Sequence, residues 1–307
     1  CVDKTPEAIG SFAALCEEAK QFGQDWALVF VAGMSGQGDV APTEAQAQAP
    51  LEGMVQAIKD GKDERQLQGF WSQPGDAQMG YTIPNLLTEY AIRNTHVPVG
   101  PWRGVNTNQN GVYLECFIEE LARAAGKDSL EFRRALMKNH PKHLAVLNAA
   151  ADKAGWGKPL PPGVFRGIAQ FMGYGSYSAA VAEVSVGPGG EVTVHRMVLA
   201  LDCGHAVNPQ QIAAQVEGSV AFGLGATLHG EITIDRGRVA ERNFDRYPPL
   251  RLAEMPRVET VIVPSGDFWG GVGEPTICVV APAVLNALFA ATGKPNRSLP
   301  LHGRAQV

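Results

Sequence analysis

The sequence lacks the features that mark several large classes of protein. Its 26 basic and 31 acidic residues give a formal net charge of -5, and lysine and arginine are not clustered in any one stretch. A nucleic-acid surface and a polybasic membrane segment both need concentrated positive charge. We therefore expect no nucleic-acid partner, and expect small molecules or other proteins instead.

Long apolar runs and paired cysteines are also absent. No run approaches the roughly 20 residues that cross a bilayer, and the first ten residues lack the basic region and apolar core of a signal peptide. The five cysteines form no CxxC pair. We expect buried thiols rather than a zinc or iron-sulfur site built within this chain.

What is present is a globular composition, with 45% apolar and 19% charged residues in 307. That length allows one large or two medium domains. Helical spacing over 5–22 and an apolar run over 26–33 predict a helix and a strand, but 35–80 has poor periodicity. We treat 1–80 as a poorly assigned N-terminal segment and 81–307 as one domain.

From residue 81 the periodicity is clearer. It predicts a strand within 85–95 and three successive helices that form one layer, over 112–126, 128–137 and 141–154. Further strands are predicted at 179–186, 191–203, 229–235 and 258–263, with helices over 208–225 and 282–292. The fold class is α+β, with mixed sheets and a helical layer.

Three stretches differ from ordinary secondary structure, and the first is PVGPWRGVNTNQNG, residues 98–111. It has no clear period, and it stands directly before a predicted helix. Backbone N–H groups at such a helix entry can hold an anion or an oxo group. Asn and Gly are also ordinary turn residues, so a plain surface loop remains open.

The second stretch, 201–225, contains a helix with Asn208 as its N-cap. Gln215 and three glycines, at 218, 223 and 225, lie inside that helix. Each glycine in a helix interior costs about 1 kcal/mol against alanine. Close approach of a ligand and tight helix packing explain them equally well. His205 is expected in a turn, because no second ligand stands at metal-binding spacing.

The third stretch is GGVGEP, residues 270–275, ahead of an apolar helix that should be buried. Here Glu274 is the only ionisable group. A carboxylate that enters a low-dielectric region has its pKa raised unless it is paired, which suits a general base near neutral pH. A solvated glutamate in a turn is the alternative.

The order and the amino-acid sequences of these segments resemble those of the molybdenum-binding subunit of the xanthine dehydrogenase/aldehyde oxidase family. The likeness is strongest to its isoquinoline 1-oxidoreductase beta-subunit branch, which includes membrane-associated aldehyde dehydrogenases. It is carried by VPVGPWRGVNTNQNGVYLECFIEELARAAGKDSLEFRRAL, LDCGHAVNPQQIAAQVEGSVAFGLGATLHGEITI, NFDRYPPLRLAEMP and GGVGEPTICVVAPAVLNALFAATGK. It runs through 81–301 and covers only the C-terminal half of the family's large subunit.

The resemblance implies a molybdopterin cofactor, often the cytosine dinucleotide form, that carries molybdenum without direct protein side-chain ligands. Glu274 corresponds to the general base, which takes a proton from the molybdenum hydroxo ligand. Gln215 corresponds to a cofactor-binding glutamine. The remaining cofactor-binding positions are Trp102, Arg103 and Gly104, where backbone amides approach an oxo ligand, and Gly271 and Gly273, flexible glycines that hold the Glu274 loop. Arg103 also orients substrate, and the backbone over 271–282 lines the pterin.

The same resemblance implies partners. The cofactor lies between two halves, so we expect a complementary molybdopterin-binding chain or half, and a partner subunit with [2Fe-2S] clusters. Exported relatives add a cytochrome c subunit, which favours the periplasm or the periplasmic side of a membrane over the cytoplasm. The expected reaction is oxidation of an aldehyde or hydroxylation of an N-heteroaromatic ring. A non-catalytic assembly subunit and a stand-alone small-molecule binding protein are the alternatives.

Overall fold

The structure is a computed structural model that describes residues 28–30, 79–84, 86–88 and 100–305. The chain divides into two compact units, 1–75 with 83–100, and 76–82 with 101–307. In the first unit, strands β1 (Leu28–Phe30) and β2 (Leu86–Thr88) pair in parallel. They lie inside the strand predicted over 26–33 and the one predicted within 85–95, and the predicted helix over 5–22 lies outside the described residues.

A four-stranded mixed sheet forms the centre of the second unit. Its strands are β3 (Val164–Gly173), β4 (Ser176–Val186), β5 (Val192–Asp202) and β8 (Arg257–Ile262), in the order β3-β4-β5-β8. The first three pair antiparallel and β8 joins β5 in parallel. These pairings confirm the predicted hairpin and the predicted strand over 258–263.

Strand β3 was not predicted from the sequence, and Gly167 explains why. This glycine interrupts the apolar alternation of the strand. A Cβ built on it would lie 2.1 Å from the backbone nitrogen of Ala287. The residue is glycine because a helix backbone packs directly on the strand at that point.

Three helices lead into the sheet, α1 (Asn106–Ala124), α2 (Ser129–Leu136) and α3 (Pro141–Ala154). Asp128 caps α2 by accepting hydrogen bonds from the backbone of Leu130 and Glu131, as predicted. Helix α1 begins six residues before the predicted start. Tertiary packing overrides the weak helix propensity of its first turns, because Gly111 lies against the carbonyl oxygen of Cys278.

Two more helices pack on the sheet region. Helix α4 (Pro209–Leu228) is capped by the Asn208 side chain, which accepts from Gln211 N. A 3-10 helix (Pro275–Val279) leads into α5 (Val280–Thr292), which ends at the left-handed Gly293. Between α4 and β8, the predicted 229–235 strand reduces to the two-residue β6 (Ile234–Asp235), paired with β7 (Arg238–Val239).

The segment Pro275–Thr292 is 18 residues long with a mean hydropathy of 1.7, which is apolar enough to cross a membrane. The expectation that no apolar run approaches that length was therefore too strict. Within this protein 72% of the segment is buried. It is a core helix, as predicted, and it packs on β3 and β4.

Two glutamates of helix α1 face the interior. Glu115 and Glu119 are both buried, and each accepts a hydrogen bond from the fully buried Arg133. Tyr81 donates to Glu115 at 2.6 Å, and Gln170 of β3 donates to the same oxygen at 3.1 Å. This ionic cluster joins α1, α2 and β3, because a buried charge requires partners.

Candidate active site

The three stretches singled out in the sequence meet in space. The guanidinium of Arg103 donates through Nε to the carbonyl oxygen of Gly273 at 2.6 Å. Its Nη2 donates to the backbone and side-chain oxygens of Gln215, at 3.1 and 3.0 Å. One side chain thus bridges the loop before Glu274 and the first half of α4.

Glu274 lies at the end of the glycine loop, directly before the 3-10 helix. Its side chain is half-buried, and Oε1 accepts a hydrogen bond from the backbone N–H of Gly104 at 3.3 Å. Besides burial, the charge of Glu274 helps to raise the pKa of Tyr174, so the phenol lies near this carboxylate. The carboxylate is therefore held by a backbone donor from a distant segment of the chain.

Electrostatics link the same groups. Partial burial lowers the pKa of Arg103, and the negative charge of Glu274 acts in the opposite direction. Burial, together with the charge of Glu274, raises the pKa of Tyr174 to about 12. A guanidinium and a neutral phenol beside one carboxylate form a site in which a proton acceptor is held in a fixed place.

The turn of Trp102, Arg103 and Gly104 is closed by hydrogen bonds within the chain. Val105 N–H donates to the Trp102 carbonyl, and the Asn108 amide donates to the Arg103 carbonyl at 2.7 Å. The backbone amides of this turn were expected to approach an oxo ligand. In this chain the Gly104 N–H donates to the Glu274 carboxylate, and the approach of these amides to an oxo ligand stays a prediction.

Gly104 is a required glycine. Its φ is +88°, and an added Cβ would lie 2.5 Å from the Asn108 side chain and 2.6 Å from Ile277. A side chain at this position would combine left-handed strain with a steric clash. The turn can approach Glu274 only because residue 104 has no Cβ.

The glycines before Glu274 hold the loop by close contact. The N–H of Gly271 donates to the Tyr174 carbonyl at 2.8 Å, and a Cβ on Gly270 would lie 2.1 Å from the Ser176 hydroxyl oxygen. Ser176 in turn donates to the Gly271 carbonyl at 2.6 Å. These contacts hold the loop against the β3–β4 turn, and the flexibility expected of Gly271 and Gly273 stays a prediction.

The loop reaches an open face only as far as Glu274. Gly271 is exposed and Gly273 half-buried, whereas all residues from Pro275 to Val280 are buried. Of the backbone over 271–282, the part before Pro275 reaches the open face, and its lining of a pterin stays a prediction. The 3-10 helix is covered because α1 and α4 both pack on it.

Helix α4 supplies the other side of the face. Gln215 is exposed and accepts from Arg103, while Gly218 leaves room for the guanidinium, which would lie 3.2 Å from an added Cβ. Further along the helix, Phe222 is 47% exposed and stacks on Trp102 with ring centroids 4.8 Å apart. The face combines hydrogen-bonding groups with an uncovered aromatic pair. His205, for its part, is exposed and stacks on Trp269, which agrees with a turn position.

Two residues of the site were not predicted. Tyr174 lies in the hairpin turn between β3 and β4, and Asn108 lies in the first turn of α1. The signal for Tyr174 was the string GYGSY, in which a tyrosine stands between two glycines at a turn. Asn108 could not be separated from ordinary turn-forming asparagines in its stretch.

Fold and site together define a molybdopterin-binding domain. Residues 118–256 match the molybdopterin cofactor-binding domain family; Gln215 lies inside the matched residues, Arg103 and Glu274 outside them. Aldehyde oxidoreductases from Desulfovibrio desulfuricans and Desulfovibrio gigas align with TM-scores of 0.55 and 0.53, at 14% and 15% identity. Each alignment covers 66% of this chain and 41% of the other. The predicted α+β fold class is thereby confirmed.

The chain belongs to the molybdopterin-binding subunits of the xanthine dehydrogenase family. It is 31% identical over 284 residues to a membrane-bound aldehyde dehydrogenase (pyrroloquinoline-quinone) of Gluconacetobacter polyoxogenes, across 85% of this chain and 35% of that protein. It is 28% identical to isoquinoline 1-oxidoreductase subunit beta of Brevundimonas diminuta, across 75% and 30%. The chain thus spans about a third of the length of these two relatives.

The residues present suit the cofactor that the family implies. Arg103 and Gln215 offer a cation and an amide of the kind that bind oxo and phosphate oxygens. Gly271 and Gly273 keep backbone accessible at the open face, where a Cβ on Gly273 would meet only Gln215, at 3.8 Å. The Glu274 carboxylate follows them directly in the chain.

Proposed function

We propose that this chain supplies the general base and about half of the cofactor pocket of a molybdenum hydroxylase. The assembled enzyme would oxidise an aldehyde to a carboxylic acid or hydroxylate an N-heteroaromatic ring, with oxygen derived from water. The proposal is carried by one observation, the convergence of Arg103, Gln215 and Glu274 from three distant parts of the chain. A purely structural domain has no need for these three groups on one open face.

Molybdopterin, when bound, supplies the redox chemistry of such a reaction. The residues of this chain do the rest. Glu274 takes the proton of the attacking oxygen, and the Gly104 N–H holds its carboxylate. Arg103 balances the charge of the carboxylate and ties its loop to Gln215. A fixed donor set needs little reorganisation during proton transfer.

The pocket needs a second wall. Gln215, Trp102 and Gly271 are all exposed in this chain, and a site that excludes water must cover them. We propose that a complementary molybdopterin-binding chain or half packs on this face. Electrons would then leave through [2Fe-2S] clusters on a partner subunit, and the cytosine dinucleotide form of the cofactor would fill the cleft between the halves.

The substrate class follows the two relatives, one named for aldehydes and one for isoquinoline. The name of the first includes the word membrane-bound, which supports a periplasmic enzyme with a cytochrome c acceptor. A panel of aldehydes and N-heteroaromatics with an artificial electron acceptor separates the two substrate classes. Cell fractionation separates periplasm from cytoplasm.

The decisive variant is Glu274→Gln, which keeps the size of the side chain and removes the base. In the partner-bound enzyme we expect kcat to fall by about 10² to 10⁴, the usual contribution of a general base. Molybdenum and pterin content should stay within error of the wild type. Loss of the cofactor from the variant would mean that Glu274 is a structural residue, and full activity would leave a non-catalytic assembly role for this chain.

A further inference from the structure

Val105 has a backbone conformation that valine strongly disfavours. Its φ is 44° and its ψ is -126°, and the preceding Gly104 also has a positive φ, of 88°. A positive φ is an outlier for a β-branched residue, and the strain lowers the stability of the fold. The Val105 side chain is 44% exposed, so its burial does not offset the strain.

The side chain of Asn108, in the first turn of α1, holds this conformation. Its Nδ2 donates to the carbonyl oxygen of Arg103 at 2.7 Å and to that of Val105 at 3.2 Å. One amide group therefore spans the strained turn, Gly104–Val105, from the residue before it to its end. Thr107 adds a third contact, because its hydroxyl donates to the Gly104 carbonyl.

The same asparagine carries a second cost. Its Oδ1 is buried and has no hydrogen-bond partner among the residues that the structure describes. Exchanging the amide oxygen and nitrogen would not remove this cost, because Nδ2 already donates to two carbonyl oxygens. A buried acceptor without a partner also lowers stability. Strain and an unpaired acceptor at one turn point to a function that compensates for them.

The strained turn leads to two contacts with the Glu274 loop. The Gly104 N–H donates to Glu274 Oε1 at 3.3 Å, and Arg103 Nε donates to the Gly273 carbonyl at 2.6 Å. Both donors belong to the two residues directly before Val105. The path of the chain through the strained turn therefore sets where these donors lie relative to helix α1.

We propose that Asn108 is a positioning residue, which holds the strained turn and thereby keeps the Gly104 N–H on the Glu274 carboxylate. It acts through the backbone of Gly104 and Val105 rather than on the reacting atoms. The inference rests on the proposed function of Glu274 as the base. The contact itself can be measured in protein without cofactor.

The first test measures the strain through the stability of the full chain. Val105→Gly places a glycine where a positive φ is permitted. The matched control is Val207→Gly, because Val207 is 79% exposed and does not have a positive φ. We expect Tm to fall by about 1 to 4 °C in the control, and to stay level or rise in Val105→Gly. Equal losses of Tm would show that Val105 is not strained and would overturn the proposal.

The second test asks whether Asn108 is the residue that holds the strain. Asn108→Ala removes both hydrogen bonds and lets the turn relax. In that background Val105→Gly should lower Tm as much as the control change does, so the two substitutions are coupled in a double-mutant cycle. If the alanine variant does not fold, Asn108→Asp keeps the shape without an N–H donor. Additive changes in Tm contradict the proposal.

The third test follows the contact with Glu274 by NMR. Labelling with 15N-glycine and carbonyl-13C-arginine restricts the amide signals to the three Arg–Gly pairs of the chain, whose glycines are residues 104, 167 and 237. Glu274→Gln should move the Gly104 signal, because its N–H then faces a neutral amide instead of a carboxylate. The other two signals should stay in place.

In the Asn108→Ala background the same Glu274→Gln change should move the Gly104 signal much less. A merely structural Asn108 would leave this response unchanged, and an equal response in both backgrounds overturns the proposal. A response that depends on Asn108 in an inactive, molybdenum-free complex would uphold this inference and refute the enzyme. An unchanged response in an active enzyme would do the reverse.

Discussion

Arg103 connects two distant parts of the chain through one guanidinium. It reaches Gly273, 170 residues away, and Gln215, 112 residues away. The planar fork of arginine serves several acceptors at fixed angles, whereas a lysine ammonium is a point charge. The geometry of the site therefore depends on the identity of this side chain as well as on its charge.

We predict that Arg103→Lys loosens the Glu274 loop while it retains the positive charge. The free energy of unfolding should fall by about 1 to 2 kcal/mol, since the hydrogen bonds to the half-buried Gly273 carbonyl and to the exposed Gln215 are lost. In the assembled enzyme kcat/KM should fall by about 10², the effect of a small misplacement of the base. Chemical denaturation and steady-state kinetics measure the two effects.

The matched control is Arg297→Lys. Arg297 is also paired, with Glu120, but its side chain is 71% exposed. An exposed pair contributes little, so this change should shift stability by less than about 0.5 kcal/mol and leave kinetics unaltered. Equal effects of the two substitutions would show that Arg103 is an ordinary surface ion pair.

At the residue scale, the sequence singled out side chains that the structure brings together, but it did not show how they are held. Arg103, Gln215 and Glu274 were found because each stands in a stretch that ordinary structure does not explain. Tyr174 was missed because its role depends on a hairpin with the unpredicted strand β3. Spatial neighbours separated by about 100 residues leave no trace in local periodicity.

Helix α4 contains glycines with different surroundings. A Cβ on Gly223 would lie 2.9 to 3.3 Å from the branched side chain of Val280, where α4 crosses the start of α5. A Cβ on Gly225 would meet Leu250 only at 3.8 Å, an ordinary contact. Tight packing therefore explains Gly223, and room for Arg103 explains Gly218.

This difference gives a paired prediction within one helix. Gly223→Ala should lower the free energy of unfolding by about 1 to 2 kcal/mol, because the branched neighbour cannot rotate away. Gly225→Ala should raise it by up to about 1 kcal/mol through helix propensity. Denaturant melts of both variants measure the effect, and destabilisation by Gly225→Ala would contradict the described packing.

At the scale of elements, caps and alternation were reliable guides, and tertiary packing accounts for the errors. The ends of α3 and the Asn208 and Asp128 caps follow from local chemistry. The early start of α1 does not, because its first turns contain residues with low helix propensity and are stabilised by contact with the 3-10 helix. Strand β3 was not predicted for the same reason, because residue 167 is a glycine that allows the backbone of α5 to pack on the strand.

Several groups in the interior hold their protons tightly. Burial raises the pKa of Cys278 to about 12, from an ordinary value near 9.0. Burial, with the charge of Glu115, also raises the pKa of Tyr81 well above 10.0. In both cases the unfolded chain loses the proton at a lower pH than the folded chain. The stability that these groups contribute is complete at neutral pH and is lost as the pH rises.

We predict that the free energy of unfolding falls between pH 9 and about pH 12, with a slope of up to about 1.4 kcal/mol per pH unit from Cys278 alone. Cys278→Ala should be less stable at pH 7 and should show a shallower alkaline slope. Val279→Ala, at a buried neighbour without an ionisable group, should be less stable with the slope unchanged. Identical slopes in all three proteins would rule out the contribution of Cys278.

For the molecule as a whole, the open face is the feature with the largest consequence. A chain that spans about a third of its relatives presents Trp102, Phe222 and Gln215 without a cover. Large exposed apolar patches mark interaction surfaces. We propose that the cofactor binds between this face and a partner, and that association with that partner is a condition for loading.

The central claim is that this face binds a molybdenum cofactor. The most direct measurement is the molybdenum and pterin content of the chain purified together with its partner, by elemental analysis and pterin fluorescence. We predict one molybdenum and one pterin for each copy of the chain. Well-folded, partner-bound protein that contains neither, or that contains pyrroloquinoline quinone in their place, would contradict it.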